Sequence, residues 1–185
     1  MYSHQIYQRI HRWLTVFERA RPKPEEPPGQ NADVDVILYG LGRFGSHLAD
    51  RLTQTRHGVL AVDFDPHTVA TAAREGMNTV FGSAEDIHLL EALPLTHARY
   101  VISTIPTRET NLTLLHNLRH HHYDGTVALT AHTRHDADQL RAAGADTVLE
   151  PFATAATATS DALRDLLSTD HDPGHGMDLD HDAPR

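Results

Sequence analysis

The chain has 185 residues, no cysteine and a formal net charge of −9 at pH 7. This length suits one domain of ordinary size with additional terminal segments, and the missing thiols exclude disulfides and thiolate metal sites. The acidic balance argues against nucleic acid as the main partner, because phosphate backbones attract basic surfaces. The sequence shows no apolar run long enough to span a bilayer, and we expect no secretory signal at its start.

Residues 1–20 are predicted to form a separate amphipathic helix. Its apolar side chains recur on one stripe, at Ile6, Ile10, Trp13, Leu14 and Phe17. A short helix of this kind must bury its stripe against its own domain, against a second subunit or on a membrane surface. Residues 21–32 are rich in proline and polar side chains, which predicts a linker between this helix and the domain.

The stretch at 34–65 predicts a strand–turn–helix–strand unit. An apolar strand at 34–39 leads into Gly-Leu-Gly-Arg-Phe-Gly at 40–45, and a second strand at 59–62 ends at Asp63. The helix between the two strands is predicted to bury the face that carries Phe44, Leu48 and Leu52.

The three glycines and the acid of this unit suit a nucleotide. Gly40 allows a tight turn, Gly42 lets bare backbone approach a phosphate, and Gly45 lets the helix pack close to the strand. The free N–H groups at the start of the helix then face the phosphate. Asp63 follows at about the 20-residue spacing at which an acid binds ribose hydroxyls. The alternative is a glycine-rich turn that holds no ligand.

From Asp65 onward, helices and strands alternate. Asp65 is predicted to cap a helix that starts at Pro66 and ends before Gly76. Further strands are predicted at 78–81, 99–103, 126–129 and 147–149, and further helices at 85–93, 107–118 and 135–143. This alternation predicts an α/β fold of the Rossmann type, a doubly wound parallel six-stranded sheet with helices on both faces.

Four turns should meet at the carboxyl edge of this sheet, where ligands bind at the reversal of strand order. They are the turns at Gly40–Gly45, Asp63–Asp65, Gly82–Ala84 and Ser103–Pro106. We therefore expect a single site there.

The C-terminal part is predicted to be a helix followed by a disordered tail. The helix at 152–168 carries one stripe, at Phe152, Ala156, Thr159, Leu163, Leu166 and Leu167. This stripe packs either on the domain's own sheet or against a second subunit. The tail at 169–185 is rich in aspartate and histidine, which predicts disorder and leaves a weak metal site as the alternative.

Several motifs in order resemble the TrkA-N domain, also called RCK or KTN, which regulates potassium transport. They are GLGRFG at 40–45, VDFDP at 62–66, GSAED at 82–86, ARYVISTIP at 98–106 and AGADTVLEPF at 143–152. The resemblance covers about residues 33–167, and the nearest subgroup resembled is the cytosolic C-terminal domain of Kef-type potassium–proton antiporters. In that subgroup a linker helix joins the domain to a membrane part, as residues 1–20 would. The chain is then either a fragment or a free-standing regulatory subunit.

The resemblance implies an adenine-nucleotide site for NAD(H) or for AMP, ADP or ATP. Asp63 would bind the ribose and disfavour the 2′-phosphate of NADP, and the side chain of Arg43 would reach the terminal phosphate charge. The expected binding residues are Gly40, Gly42, Arg43, Phe44, Gly45, Asp63, Phe64, Asp65, Gly82, Ser83, Ala84, Ser103 and Thr104.

One position departs from the family. Many members have an acid where this chain has Ser83, so that Glu85 or Asp86 would have to supply a carboxylate to the adenine. The sequence does not decide whether Arg108 and Asn111 contact the ligand.

The resemblance further implies a homodimer at the inner face of the cell membrane. Nucleotide binding would change the dimer geometry and so gate a membrane-embedded potassium or cation transporter, without a chemical step. The alternative is the cofactor domain of an NAD-dependent oxidoreductase, with His132 or His135 as acid–base groups. Too little chain follows Leu149 for the substrate domain that such an enzyme needs.

Overall fold

Strand β1 (Val36–Tyr39) lies at the centre of a six-stranded sheet in the computed structural model, which describes residues 34–169. All strand pairings are parallel, and the order is β3-β2-β1-β4-β5-β6. The other strands are β2 (Val59–Asp63), β3 (Asn78–Phe81), β4 (Tyr100–Ser103), β5 (Thr126–Thr130) and β6 (Thr147–Leu149). The strand order reverses between β1 and β4, which confirms the predicted doubly wound fold.

A helix follows each strand. The helices are α1 (Arg43–Gln54), α2 (Pro66–Arg74), α3 (Ile87–Ala92), α4 (Arg108–His120), α5 (Arg134–Ala143) and α6 (Pro151–Thr169). None of the helices within residues 34–169 combines the length and apolar character needed to cross a bilayer.

The sheet is covered on both faces because its central strands are apolar throughout. Val36 and Leu38 of β1 pack into one core, to which α1 contributes Ala49. Ile37 and Tyr39, which alternate with them, pack into a larger core built with α3, α4 and α5. Strand β1 is thus buried on both sides, as its continuous apolar sequence predicts.

Two predicted helix features are wrong. The helix expected from Glu85 begins at Ile87, because the carboxylate of Asp86 accepts hydrogen bonds from the amides of His88 and Leu89 and caps the helix there. Phe44 was expected on the buried face of α1, yet it is 38 % exposed, whereas Leu48 and Leu52 pack as predicted.

Helix α6 does not lie on the domain's own sheet. Every side chain described from Phe152 to Arg164 is exposed, including the large apolar side chains of Phe152 at 63 % and Leu163 at 45 %. Of the two predicted alternatives for its stripe, packing on the domain's own sheet is therefore wrong for this part of the helix. The predictions for residues 1–20, 21–32 and 170–185 lie outside the described residues.

Candidate functional site

A cavity of about 430 Å³ opens at the carboxyl edge of the sheet, where the strand order reverses. The ends of β1, β2 and β4 and the turn after β3 surround it. Its lining includes Gly40, Gly42, Asp63, Phe64, Asp65, Gly82, Ser83, Ala84 and Thr104. The structure thus brings nine of the residues predicted to bind a nucleotide around one cavity.

The glycine-rich turn packs closely against the residues that follow β4. Gly40 has a φ of +90°, which a side chain would make strained. A Cβ at Gly45 would collide with the carbonyl oxygen of Gly40 and come within 2.6 Å of the Thr104 hydroxyl. That hydroxyl donates to the carbonyl oxygen of Gly40 at 2.9 Å, so Thr104 holds the turn in place. Both glycines are therefore needed by the local packing.

Gly42 differs from these two glycines. It is the N-cap residue of α1 with extended backbone, and no heavy atom lies within 4 Å of where its Cβ would stand. No side chain caps α1 and its first turn holds no acid, whereas Asp65, Asp86 and Thr133 cap α2, α3 and α5. The first N–H groups of α1 are thus available to a ligand anion beside the cavity.

Asp63 lies at the end of β2 and is 8 % exposed. One carboxylate oxygen accepts from the amide of Leu41 at 2.6 Å, and the other accepts from the amide of Asp65 at 2.8 Å. The side chain therefore ties the glycine-rich turn to the turn after β2. A carboxylate has about four lone-pair sites, so these two bonds leave acceptor capacity toward the cavity that Asp63 lines.

Asp65 also lines the cavity, and its carboxylate caps α2. The hydroxyl of Thr68 and the amide of His67 donate to this carboxylate and lower its pKa below the usual value. Asp65 therefore stays ionised to lower pH than an unbonded aspartate.

Ser103 was predicted to border the ligand, but it is fully buried beneath the cavity. Its hydroxyl donates to Asn111 Oδ1 at 2.6 Å, and the Asn111 amide donates to the carbonyl oxygens of Ile105 and Thr130. This network fixes the loop between β4 and α4, whose residues line the cavity. Ser103 and Asn111 thus shape the site from below. The sequence left the role of Asn111 open, because burial cannot be read from one polar residue.

A second groove, of about 920 Å³, adjoins the first cavity. The two share Gly42, Thr104 and Pro106. Arg43, Phe44 and Gly45 line the groove and do not line the first cavity.

The opposite wall of the groove is the beginning of α6. His132, which follows β5, packs edge-on against Phe152, with ring centroids 4.9 Å apart and planes at 80°. The groove therefore links the glycine-rich turn to the exposed helix.

Other side chains have structural partners instead of positions at the cavity. Arg108 pairs with Glu109 and with Asp136, and Asp86 caps α3. His135 contacts Gln139 on the exposed side of α5.

The sequence placed the turn Ser103–Pro106 at this edge, but part of the cavity lining was not named among the expected binding residues. Ile105, Pro106, Thr107 and Thr110 complete the cavity wall next to β4. The signal available was their place directly after a strand on the switch point, where connecting turns carry ligand contacts.

A family model for the TrkA-N domain matches residues 36–151 of the chain. A stretch of 113 residues, 58 % of the chain, is 27 % identical to the glutathione-regulated potassium-efflux system protein KefC of Escherichia coli O17:K52:H18 (strain UMN026 / ExPEC), of which it covers 18 %.

Three solved structures share the fold. The TrkA-N domain of inner membrane protein ybaL from Escherichia coli matches with a TM-score of 0.66 and 21 % identity, over 73 % of this chain and 99 % of that one. The NAD(P)-binding domain of an exopolyphosphatase-related protein from Archaeoglobus fulgidus matches with a TM-score of 0.62 and 25 % identity. The match covers 74 % of this chain and 98 % of that one. The Kef CTD of Shewanella denitrificans in its AMP-bound form matches with a TM-score of 0.61 and 23 % identity. The match covers 71 % of this chain and 80 % of that one.

Proposed function

The chain belongs to the TrkA-N domain family, and from this premise we propose that it is a nucleotide-binding regulatory domain of a potassium transporter. The observation that carries the proposal is the first cavity, which has the uncapped start of α1 on one side and the carboxylate of Asp63 on the other. Backbone N–H groups suit a phosphate, and a carboxylate suits ribose hydroxyls. KefC, a similar protein, is a potassium-efflux system by name.

The ligand is an adenine nucleotide, NAD(H) or one of AMP, ADP and ATP. The similar domains from Archaeoglobus fulgidus and Shewanella denitrificans bind NAD(P) and AMP by their names. A mononucleotide would occupy the first cavity, with its phosphate at Gly42, its ribose at Asp63 and its base beside Phe64. A dinucleotide would continue past Pro106 into the groove. Asp63 disfavours NADP, because a second negative charge beside a buried carboxylate is repelled.

The domain acts by binding and not by turnover. The residues at 33–168 form the nucleotide-binding unit, residues 1–20 and 21–32 are its helical attachment and linker, and residues 169–185 are its tail. Two copies form a dimer through the exposed face of α6. A ligand that prefers one dimer geometry shifts the population of the two, and the transporter attached to the dimer responds to that shift.

Calorimetry with AMP, ADP, ATP, NAD, NADH and NADP tests the ligand. We expect at least one nucleotide without a 2′-phosphate to bind with a dissociation constant below about 1 mM, equivalent to roughly 4 kcal/mol, and to bind more tightly than NADP. NADH incubated with a panel of carbonyl compounds should keep its absorbance. Failure of all six nucleotides to bind contradicts the regulator, and steady loss of NADH absorbance favours the oxidoreductase instead.

Replacing Leu163 with glutamate tests the dimer. Leu163 is a large apolar side chain that is 45 % exposed on α6, and a charge at the centre of an apolar interface leaves an unpaired ion out of water. Sedimentation velocity should show a dimer for the unmodified chain and a monomer for the variant. His88→Glu, at an exposed position on α3, is the control and should stay dimeric. A monomeric unmodified chain refutes the dimer.

A further inference from the structure

Tyr39, the last residue of β1, brings a buried hydroxyl to the floor of the first cavity. The residue is 1 % exposed and packs into the larger core with Val62 and Ala84, and all three line the cavity. Tyr39 and Val62 are register partners on neighbouring parallel strands, so their side chains point to the same face of the sheet. These three side chains form an apolar floor that carries a single hydroxyl.

The hydroxyl of Tyr39 has no hydrogen-bond partner among residues 34–164, and burial is the cause that raises its pKa. The phenol therefore keeps its proton and stays a donor. Within the same range, two buried side-chain atoms are both unpaired and closed off from solvent, Arg108 Nε and His121 Nε2. The Tyr39 hydroxyl is unpaired but not closed off, so its open side faces the cavity that the residue lines. A buried tyrosine hydroxyl usually has a partner, which makes this one a candidate ligand contact.

Tyr123 shows the usual arrangement. Its hydroxyl donates to the carbonyl oxygen of Ala98 at 3.1 Å and so ties the end of α4 to the segment before β4, at the opposite edge of the sheet. The hydroxyl of Tyr39 makes no such bond within the described residues. The fold therefore uses the ring of Tyr39 to fill the core and does not need its oxygen.

The cavity floor lies on the side of the site that suits the base of a nucleotide. In the proposed mode of binding, the phosphate lies at Gly42 and the ribose at Asp63, so the base extends toward the turn after β3. Ala84 belongs to that turn and shares the floor with Tyr39. Backbone amides thus serve the phosphate and a carboxylate serves the ribose, whereas the floor offers the base a neutral donor. The ring nitrogens of a purine are acceptors.

We propose that the Tyr39 hydroxyl donates a hydrogen bond to a ring nitrogen of the bound purine and so contributes to the choice of base. The inference rests on the proposed function and names a contact from the core of the domain to the ligand. A base that presents carbon at this place would cover a donor that is already buried and leave it without a bond. Such a mismatch is what makes polar sites selective.

Replacing Tyr39 with phenylalanine tests the contact, because it removes one oxygen and keeps the ring that fills the core. Calorimetry should show that AMP binds the variant about tenfold more weakly than it binds the unmodified chain. The melting temperature without nucleotide should not fall, since no bond inside the domain is lost. Tyr123→Phe is the matched control. It loses the bond to Ala98, so its melting temperature should fall, while its affinity for AMP, measured where it is folded, should not change.

Three analogues of AMP identify the acceptor. 1-deaza-AMP, 3-deaza-AMP and 7-deaza-AMP each replace one ring nitrogen of the base with a carbon that cannot accept a hydrogen bond. One of them should bind the unmodified chain about tenfold more weakly than AMP. The same analogue and AMP should bind Tyr39→Phe equally, because the donor that distinguishes them is gone.

The outcomes separate this inference from the function on which it rests. If Tyr39→Phe binds AMP as tightly as the unmodified chain does, or melts as early as Tyr123→Phe, the inference is overturned although the nucleotide site stands. A loss of affinity in Tyr39→Phe that AMP and all three analogues share equally places the hydroxyl on the ribose or phosphate and overturns the contact to the base. If no adenine nucleotide binds the unmodified chain, the proposed function is wrong and the inference falls with it.

Discussion

Replacing Gly42 with alanine should abolish nucleotide binding while leaving the domain nearly as stable as before. Nothing lies within 4 Å of the position that the new Cβ would occupy, and the backbone is extended, with φ −63° and ψ −174°. The methyl group therefore meets no protein atom. It projects instead into the space in which a phosphate would approach the first N–H groups of α1. We expect the free energy of unfolding to change by less than about 1 kcal/mol, the range of N-cap replacements.

Gly45→Ala is the matched variant, since it adds the same methyl group three residues along the same helix. Here the Cβ collides with the carbonyl oxygen of Gly40 and crowds the Thr104 hydroxyl. Backbone cannot move aside as a flexible side chain can, so we expect a loss of about 1–3 kcal/mol or more. Urea unfolding measures the stability of both variants, and calorimetry measures nucleotide binding at a temperature at which both are folded.

The pair separates a ligand effect from a folding effect. A Gly42→Ala chain that binds nucleotide as well as the unmodified chain would show that the phosphate does not lie on the start of α1. A Gly42→Ala chain as unstable as Gly45→Ala would mean that Gly42 is required by the fold, as in a glycine-rich turn that holds no ligand. Either result removes the main support for the nucleotide site.

The sheet could be predicted from sequence because its signals are local. The strand at Asn78–Phe81 and the strand at Thr147–Leu149 begin and end where the sequence predicts. Each is a short run bounded by turn residues, and such boundaries mark the ends of a strand in the sequence. The cap by Asp65 was equally readable, since aspartate before proline favours a helix start.

The surroundings of Phe44 and Ser103 could not be predicted in this way. Phe44 follows the apolar spacing of α1, yet it lies in the first turn of the helix and is 38 % exposed. Ser103 ends a strand as a ligand-binding residue would, but the alternation of side chains along β4 turns it toward Asn111. The burial of each side chain depends on residues far away in the sequence, and the local spacing of apolar residues does not contain that information.

Helix α6 shows a further limit of pattern reasoning. An apolar stripe indicates that a helix face is buried, but it does not tell which surface buries it. The structure shows that the domain's own sheet does not bury the side chains from Phe152 to Arg164. Because the start of this helix also lines the groove beside Gly42, we expect a dinucleotide to influence α6 more strongly than a mononucleotide that fills only the first cavity.

Replacing Asp63 with alanine should weaken every adenosine ligand more than tenfold and also destabilise the domain. The carboxylate accepts the amides of Leu41 and Asp65 inside the protein, and each buried donor left without a partner costs about 1–3 kcal/mol. The stability loss alone could distort the turn and weaken binding. Affinity for AMP is therefore not a sufficient measurement.

A cycle with 2′,3′-dideoxy-AMP, which lacks both ribose hydroxyls, isolates the ribose contact. The unmodified chain should prefer AMP by about tenfold, whereas Asp63→Ala should bind both ligands equally, since the group that discriminates between them is gone. Asp35→Ala is the control. Asp35 accepts from the amide of Gly58 before β1 begins, at the opposite edge of the sheet, so its loss costs stability but should leave the preference intact. If Asp63→Ala still prefers AMP, the carboxylate serves only to tie the two turns together, and the ribose lies elsewhere.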